Sequence, residues 1–163
     1  MRSAQQNKTI QVTQGAYHVS AAPDVVFSAI LGSCVSACLF DPVARLGGMN
    51  HFLLPGTGEA EDHARRYGKD LTLCMIRALE QMGAERCRIQ AKLFGGGQII
   101  PGMVRIGTLN ADFAERFLAA ERIPVVTRSV GGDRARRIRF WPTTGRAQQL
   151  LLEPISPEIA QIL

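Results

Sequence analysis

The segment LGSCVSACLFDPVARLGGMNHF occupies residues 31–52 and carries the strongest fold signal in the chain. Its first three residues predict a turn, and residues 35–40 predict an apolar strand that begins directly after Cys34. Asp41-Pro42 predicts a second turn, after which residues 48–54 predict another strand. The pattern therefore places Cys34 at the mouth of a strand and His51 one hairpin later.

A cysteine and a histidine in this arrangement are the parts of a thiol nucleophile and its base. A thiol attacks a carbonyl or carboxamide carbon as the thiolate, so an imidazole must take or share its proton. Backbone N–H groups of the turn around Gly32 and Ser33 are available to the developing oxyanion. We therefore predict catalysis by Cys34 with His51 as its base, with His18 and His63 as alternative bases. The competing interpretation is a small buried hydrophobic cysteine.

Length and composition predict one globular domain. The chain has 163 residues, of which 46% are hydrophobic and 20% are charged, as in ordinary folded proteins. The polar N-terminus lacks a signal-like apolar core, and no later apolar run approaches the roughly 18 residues that span a bilayer. We expect a flexible segment over residues 1–8, a single domain over 9–153, and a tail over 154–163 that forms a short docking helix. The expected location is the cytoplasm.

The four cysteines are too few and too widely spaced for a disulfide scaffold, so reduced thiols are expected. Cys34 and Cys38 with His51 or His63 offer ligands for structural zinc, but no second closely spaced pair completes a tetrahedral set. A redox pair of Cys34 and Cys38 is a further alternative at the limit of disulfide geometry. The sequence therefore predicts neither a metal nor a cofactor.

The remaining pattern predicts an α+β fold, an α/β sandwich of mixed β-sheets packed with two main helices. A meander of strands carries the site. The loop over residues 56–66 precedes an amphipathic helix from Leu71 to Met82, and a second helix covers residues 110–121 with Thr108 or Asn110 as its N-cap. Gly95-Gly96-Gly97 predicts a turn that lets the backbone pass close to the cleft. Further strands are expected at residues 10–12, 16–19, 25–30, 87–93, 124–129, 137–141 and 149–153, the last two joined by a hairpin at residues 143–145.

The chain carries a formal net charge of +5, partly from arginines at positions 134, 136, 137 and 139. Ile138 and Phe140 alternate with these arginines as they would along a strand, and no aromatic stacking platform accompanies them. This pattern favours either a solvated strand face or a surface for an anionic partner over a nucleic-acid site, and an acidic protein would also be attracted to it.

The motifs resemble those of the CheD family of bacterial chemotaxis proteins from about Gly15 to Gly145, in the family's order. They are the segment 31–35, Asp41-Pro42, residues 48–51 with Leu54-Pro55, Ala91-Lys92 with the glycines 95–97, Ile106-Gly107 with Asn110, and residues 131–136. The resemblance implies an α/β sandwich similar to other cysteine hydrolases and deamidases. It also implies a deamidase that converts glutamine to glutamate on methyl-accepting chemotaxis receptors.

The same resemblance implies roles for individual residues. Cys34 corresponds to the family's nucleophile and His51 to its base, while the family's third residue, a threonine, falls on Ser28. Serine keeps the hydroxyl that would orient the imidazole but lacks the methyl group that restricts χ1. Some family members also remove methyl esters, and many bind a CheC-type phosphatase. The alternative function is a non-catalytic regulator that binds receptors or such a phosphatase.

Overall fold

The computed structural model describes residues 6–53, 59–99 and 105–154, with side chains of residues 59–66 excepted. Two helices and nine strands occur in these ranges. In chain order they are β1 (Lys8–Gln11), β2 (Tyr17–Ser20), β3 (Val25–Leu31), β4 (Val35–Asp41), β5 (Leu46–Asn50), α1 (Glu59–Gln81), β6 (Gln90–Gly95), α2 (Ile106–Ala120), β7 (Val125–Val130), β8 (Arg136–Trp141) and β9 (Arg146–Leu151).

The strands form two mixed sheets. The four-stranded sheet has the order β1-β3-β8-β9 and the five-stranded sheet the order β2-β5-β4-β6-β7. The β1/β3 and β6/β7 pairs are parallel, and the others are antiparallel. The predicted α+β class is confirmed. The simple meander is wrong, because β3 leaves its sequence neighbours and pairs in the other sheet.

The five-stranded sheet lies in the middle of a three-layer sandwich. Helix α1 packs beside β2 and β5, and α2 packs beside β4, β6 and β7. Val35, Ala37 and Leu39 of β4 belong to the core cluster shared with the helices. Cys38 and Phe40 of the same strand belong to the cluster between the two sheets. This alternation follows from the two-residue period of a strand, and it decides which side chains can reach the space between the sheets.

Both helices begin earlier than the sequence pattern predicts. Helix α1 starts at Glu59, inside the predicted loop, because the run from residue 59 to 66 is rich in good helix formers although it lacks apolar periodicity. Helix α2 starts at Ile106, so Asn110 lies inside the helix instead of capping it. The apolar period therefore located the later turns of each helix and missed the first turns.

The C-terminal strands agree with the predicted hairpin, since β8 and β9 pair antiparallel around a turn in which Gly145 has a φ of +76°. The tail predicted to form a docking helix, from residue 155 onward, lies outside the described residues, as do residues 1–5. Lys8 of the N-terminal segment belongs to β1. Within the described ranges, neither helix has the length and apolar character needed to cross a membrane.

Candidate active site

Cys34 lies in the turn between β3 and β4, half-buried at the end of β4. The glycine segment after β6 holds this turn, since Gly96 N–H donates to the Cys34 carbonyl at 2.8 Å and Gly97 N–H donates to the Gly32 carbonyl at 2.9 Å. Gly95 has a φ of +110°, and a Cβ there would collide with the Cys34 carbonyl oxygen. The expected close backbone approach is therefore present at this turn.

Asn110 supports the same turn from the side of α2. Its buried side-chain Nδ2 donates to the Ser33 carbonyl at 2.8 Å. The sequence indicated Asn110 as a helix cap and as part of a family motif, and no short-range signal links it to a residue 77 positions earlier. The contact of Asn110 with the Cys34 turn is thus a supporting role that sequence reasoning missed.

Replacing Asn110 by alanine is expected to loosen the Cys34 turn. The buried Ser33 carbonyl would lose its side-chain donor, at a cost of about 1–3 kcal/mol in unfolding free energy. We expect a lower kcat for the reaction at Cys34 together with a lower Tm. Measuring both for Asn110→Ala, with the exposed Leu109→Ala as the matched neighbour, tests this role. An unchanged kcat would show that the bond does not position the thiol.

The β4/β5 register places Cys34 and His51 on one face of the central sheet. Phe52, two residues past β5, forms a bridge with Val35 at the start of β4, in which each N–H donates to the other's carbonyl. His51 is therefore a diagonal neighbour of Cys34, and residues related in this way have Cα atoms about 7–8 Å apart. Both side chains lie on the side of Cys38, facing the four-stranded sheet.

The segment 12–16 surrounds His51 with three hydrogen bonds. The imidazole Nδ1 lies 2.9 Å from the Val12 carbonyl oxygen. Gly15 N–H donates to the His51 carbonyl at 2.7 Å, and His51 N–H donates to the Ala16 carbonyl at 3.1 Å. A carbonyl only accepts, so Nδ1 carries a proton in the neutral ring and Nε2 presents a lone pair. Nε2 is buried and has no hydrogen-bond partner among the described residues.

Burial keeps both groups of this pair neutral at rest. Desolvation raises the pKa of the Cys34 thiol above its ordinary value of 9.0, although its own backbone N–H acts in the opposite direction. Desolvation also lowers the pKa of His51 below 6.5, with the bond to Val12 opposing the shift. Both shifts favour a protonated thiol and a neutral imidazole at neutral pH.

Ser28 is buried on β3 and does not make the bond that the family resemblance implied. Its neighbours Phe27 and Ala29 face the space between the sheets, so alternation directs the Ser28 side chain to the opposite face of its sheet. The Ser28 carbonyl instead accepts a hydrogen bond from Val12 N–H at 2.8 Å. Val12, whose carbonyl orients the imidazole, was not indicated by any sequence motif.

The other residues near the site have structural contacts. Asn50 faces the helices, where its Oδ1 accepts from Ala37 N–H at 2.8 Å and its Nδ2 donates to Thr72 at 3.0 Å. His18 lies on β2 with its ring 6.0 Å from that of Phe27. The side chain of His63 is outside the described residues. Asn50 therefore joins β4 to α1, as expected for a residue that alternates with His51.

Among the residues that the structure describes, the remaining cysteines and acids do not form a metal centre. Cys38 is fully buried in the core between the sheets, and desolvation raises its pKa far above the ordinary value. Cys74 and Cys87 are exposed. Within the described part of the chain, no group of three or more His, Cys, Asp or Glu side chains is close enough to hold a metal ion.

The site combines a half-buried thiol with an oriented neutral imidazole at the start of a strand. These are the groups that a cysteine-dependent hydrolase uses. The sandwich also occurs in a crystal structure of a Neisseria meningitidis protein of the DUF152 family, with a TM-score of 0.51 and 10% sequence identity over 83% of this chain and 75% of that one. This likeness shows a shared fold.

Sequence comparison identifies the family. Residues 53–149 match the family model described as CheD chemotactic sensory transduction. The chain is 51% identical to a Caulobacter protein (strain K31) over 88% of this chain and 77% of that protein, and 53% identical to an Agrobacterium fabrum protein over 87% and 79%. Both relatives are named probable chemoreceptor glutamine deamidase CheD. The chain belongs to the CheD family.

Proposed function

We propose that this protein deamidates glutamine side chains of chemoreceptors through a thioester on Cys34. The observation that carries the proposal is the Val12 carbonyl on His51 Nδ1, which leaves Nε2 free on the face shared with the thiol. The names of the CheD relatives supply the substrate class. We place the reaction in the cytoplasm, on the cytoplasmic part of the receptors.

In the first half-reaction the thiol adds to the carboxamide carbon of the substrate glutamine. His51 Nε2 takes the Sγ proton as the C–S bond forms, and the carbonyl oxygen becomes an oxyanion. The imidazolium then gives this proton to the departing nitrogen, because an amide ion is too basic to leave unprotonated. Ammonia departs, and a glutamyl thioester remains on Cys34.

In the second half-reaction water hydrolyses the thioester. Neutral His51 takes a proton from the water as its oxygen attacks the thioester carbon, and a second oxyanion forms. Collapse of this intermediate breaks the C–S bond and returns the proton from His51 to sulfur. The products are a receptor glutamate and the free thiol. A methyl ester presents the same carbonyl with methanol as the leaving group, so the same site suits ester hydrolysis.

We assign Ser28 a positioning role that acts through its main chain. Its carbonyl holds Val12 N–H, and the Val12 carbonyl in turn orients His51. The turn at Gly32 and Ser33 supplies the backbone part of the oxyanion site. Val35 N–H is excluded from that role because it donates to the Phe52 carbonyl at 3.0 Å.

The outer face of β8 is the proposed docking surface for an acidic partner. Arg137 and Arg139 alternate with buried Ile138 and Phe140. The guanidinium carbons of Arg139 and Arg146 lie over the Trp141 ring, 5.2 and 4.8 Å from the ring centroid. Arg136 is not part of this surface, because it is buried and donates to the carbonyls of Ser129 and Gly131. Receptors and a CheC-type phosphatase are the partners proposed for it.

Charge reversal at Arg137 and Arg139 is expected to slow association with a receptor fragment. Long-range attraction raises the association rate at low salt and is screened as salt increases. The double variant should associate on the order of tenfold more slowly at low salt, with a weaker salt dependence and an unchanged kcat. Stopped-flow binding at several salt concentrations measures this effect. An unchanged rate at low salt would exclude steering by this surface.

The proposed function is tested by incubating a receptor cytoplasmic fragment with the protein and recording tryptic peptide masses. We expect selected glutamine peptides to gain about 1 Da, the difference between glutamine and glutamate, and the gain to stop after Cys34 is alkylated. Binding of the fragment without any mass gain would reject the deamidase and favour the non-catalytic regulator.

A further inference from the structure

We propose that Gln14 is a further catalytic residue, whose side-chain amide donates a hydrogen bond to the oxyanion formed at Cys34. The inference rests on the proposed deamidation and adds to it a residue that no sequence motif indicated. From the sequence alone, Gln14-Gly15 predicts a turn between two strands and no catalytic role.

Gln14 lies directly at the nucleophile. The Cys34 thiol donates to Gln14 Oε1, with a distance of 3.7 Å between Sγ and Oε1. Gln14 is exposed and Cys34 is half-buried. A substrate carboxamide that reaches the thiol therefore lies beside the Gln14 side chain, and the oxygen of the adduct forms within reach of its amide.

The main chain that carries Gln14 is held in place on both sides. Val12 and Ala16 contact the ring and the backbone of His51. Gly15 has a φ of +89°, and its carbonyl accepts from the Tyr67 hydroxyl at 2.7 Å. An oxyanion donor is effective when it is already in position before charge develops. We call these contacts of residues 12–16 the clamp. The clamp fixes the main chain at Gln14 before charge develops, and because it also contacts His51, it couples the position of Gln14 to that of His51.

The turn itself offers few donors for an oxyanion. Val35 N–H is used by the Phe52 carbonyl, and Asn110 Nδ2 is directed to the Ser33 carbonyl. The Gln14 amide is a side-chain donor group placed against Sγ in the described structure. Side-chain amides serve in this role in other acyl-transfer sites.

Catalysis requires the Gln14 amide to change from acceptor to donor. At rest Oε1 accepts the single thiol proton. Once that proton has moved to His51, an amide oxygen would face the negative charge on sulfur and then on the substrate oxygen. Rotation about the last side-chain torsion, which has a broad profile, exchanges Oε1 for the Nε2 N–H groups. The same residue thus restrains the resting thiol and stabilises the adduct.

The test compares Gln14→Leu and Gln14→Glu with the wild type in the receptor-fragment assay. Gln11→Leu is the matched control, because Gln11 is also an exposed glutamine and lies at the end of β1, three residues before Gln14 and outside residues 12–16. The second readout is alkylation of Cys34 by iodoacetamide, a displacement at a CH₂ carbon that forms no acyl oxyanion. Tm is recorded for every variant.

We expect Gln14→Leu to lose on the order of 10²-fold in kcat for deamidation, while Cys34 alkylates at least as fast as in the wild type. Gln14→Glu should lose more, since an ionised carboxylate cannot donate, and Gln11→Leu should match the wild type. Deamidation by Gln14→Leu at the wild-type rate or faster would overturn the proposal. If the deamidation rate, the alkylation rate and Tm of Gln14→Leu all fell together, the role of Gln14 would be structural, and the proposal would also be overturned. Wild-type deamidation is judged separately, so failure here leaves the proposed function intact.

Discussion

Cys34→Ala is expected to abolish glutamine deamidation, with a loss in kcat on the order of 10⁴-fold or more. In the proposed mechanism the whole reaction proceeds through the C–S bond, and no other described cysteine can replace this sulfur. Cys38 is buried in the core between the sheets, and Cys74 and Cys87 are exposed elsewhere. The measurement is the rate of mass gain on receptor peptides under saturating fragment.

The matched controls are Cys74→Ala and Cys87→Ala, which should deamidate at the wild-type rate. Cys34 is only half-buried, so Cys34→Ala should fold, retain a Tm close to that of the wild type and bind the receptor fragment. Deamidation by this variant at more than a few per cent of the wild-type rate would rule out Cys34 as the nucleophile.

His51→Ala is expected to lower kcat/KM by about 10²–10⁴-fold at neutral pH, the usual contribution of a general acid and base. It should also change the shape of the pH profile. In the wild type, burial lowers the pKa of His51 below 6.5 and raises that of Cys34 above 9.0. Activity requires neutral His51 and a protonated thiol, so it should be level across neutral pH, fall on the acid side below 6.5, and fall on the alkaline side above 9.0.

Without His51 the thiol must ionise unaided, so the residual rate of His51→Ala should rise with pH toward the raised pKa of Cys34. His18→Ala serves as the control for loss of a histidine from the same face and should keep the level wild-type profile. Ser28→Ala retains the carbonyl that holds Val12, and it should keep most of the activity. A level profile for His51→Ala at neutral pH would contradict the assignment of the base.

The segment 31–52 shows which parts of the fold and of the site could be predicted from the sequence. The apolar run at residues 35–40 and the turn at Asp41-Pro42 were sufficient to place a strand pair. Together they were also sufficient to bring Cys34 and His51 near one end of that pair. The same pattern did not reveal that β3 crosses to the second sheet, because strand partners are chosen by packing between distant segments.

The supporting contacts of the site were the part that sequence could not supply. Val12 orients His51 through a main-chain oxygen, which has no residue signature. Asn110 reaches the Ser33 carbonyl because α2 starts four residues earlier than its apolar period indicates. Gln14 is brought to Cys34 by the clamp around His51. Each of these contacts depends on long-range packing, whereas Cys34 and His51 lie on one continuous local motif.

The most direct test of the account is to run the receptor-fragment reaction in the presence of hydroxylamine. A thioester on Cys34 partitions between water and this stronger nucleophile, so the glutamine that becomes glutamate should also become a hydroxamate, about 16 Da heavier than glutamine. The account predicts that hydroxamate increases at the expense of glutamate as hydroxylamine rises, and that Cys34→Ala forms neither product. Glutamate that forms at an undiminished rate with no hydroxamate would contradict a Cys34 thioester.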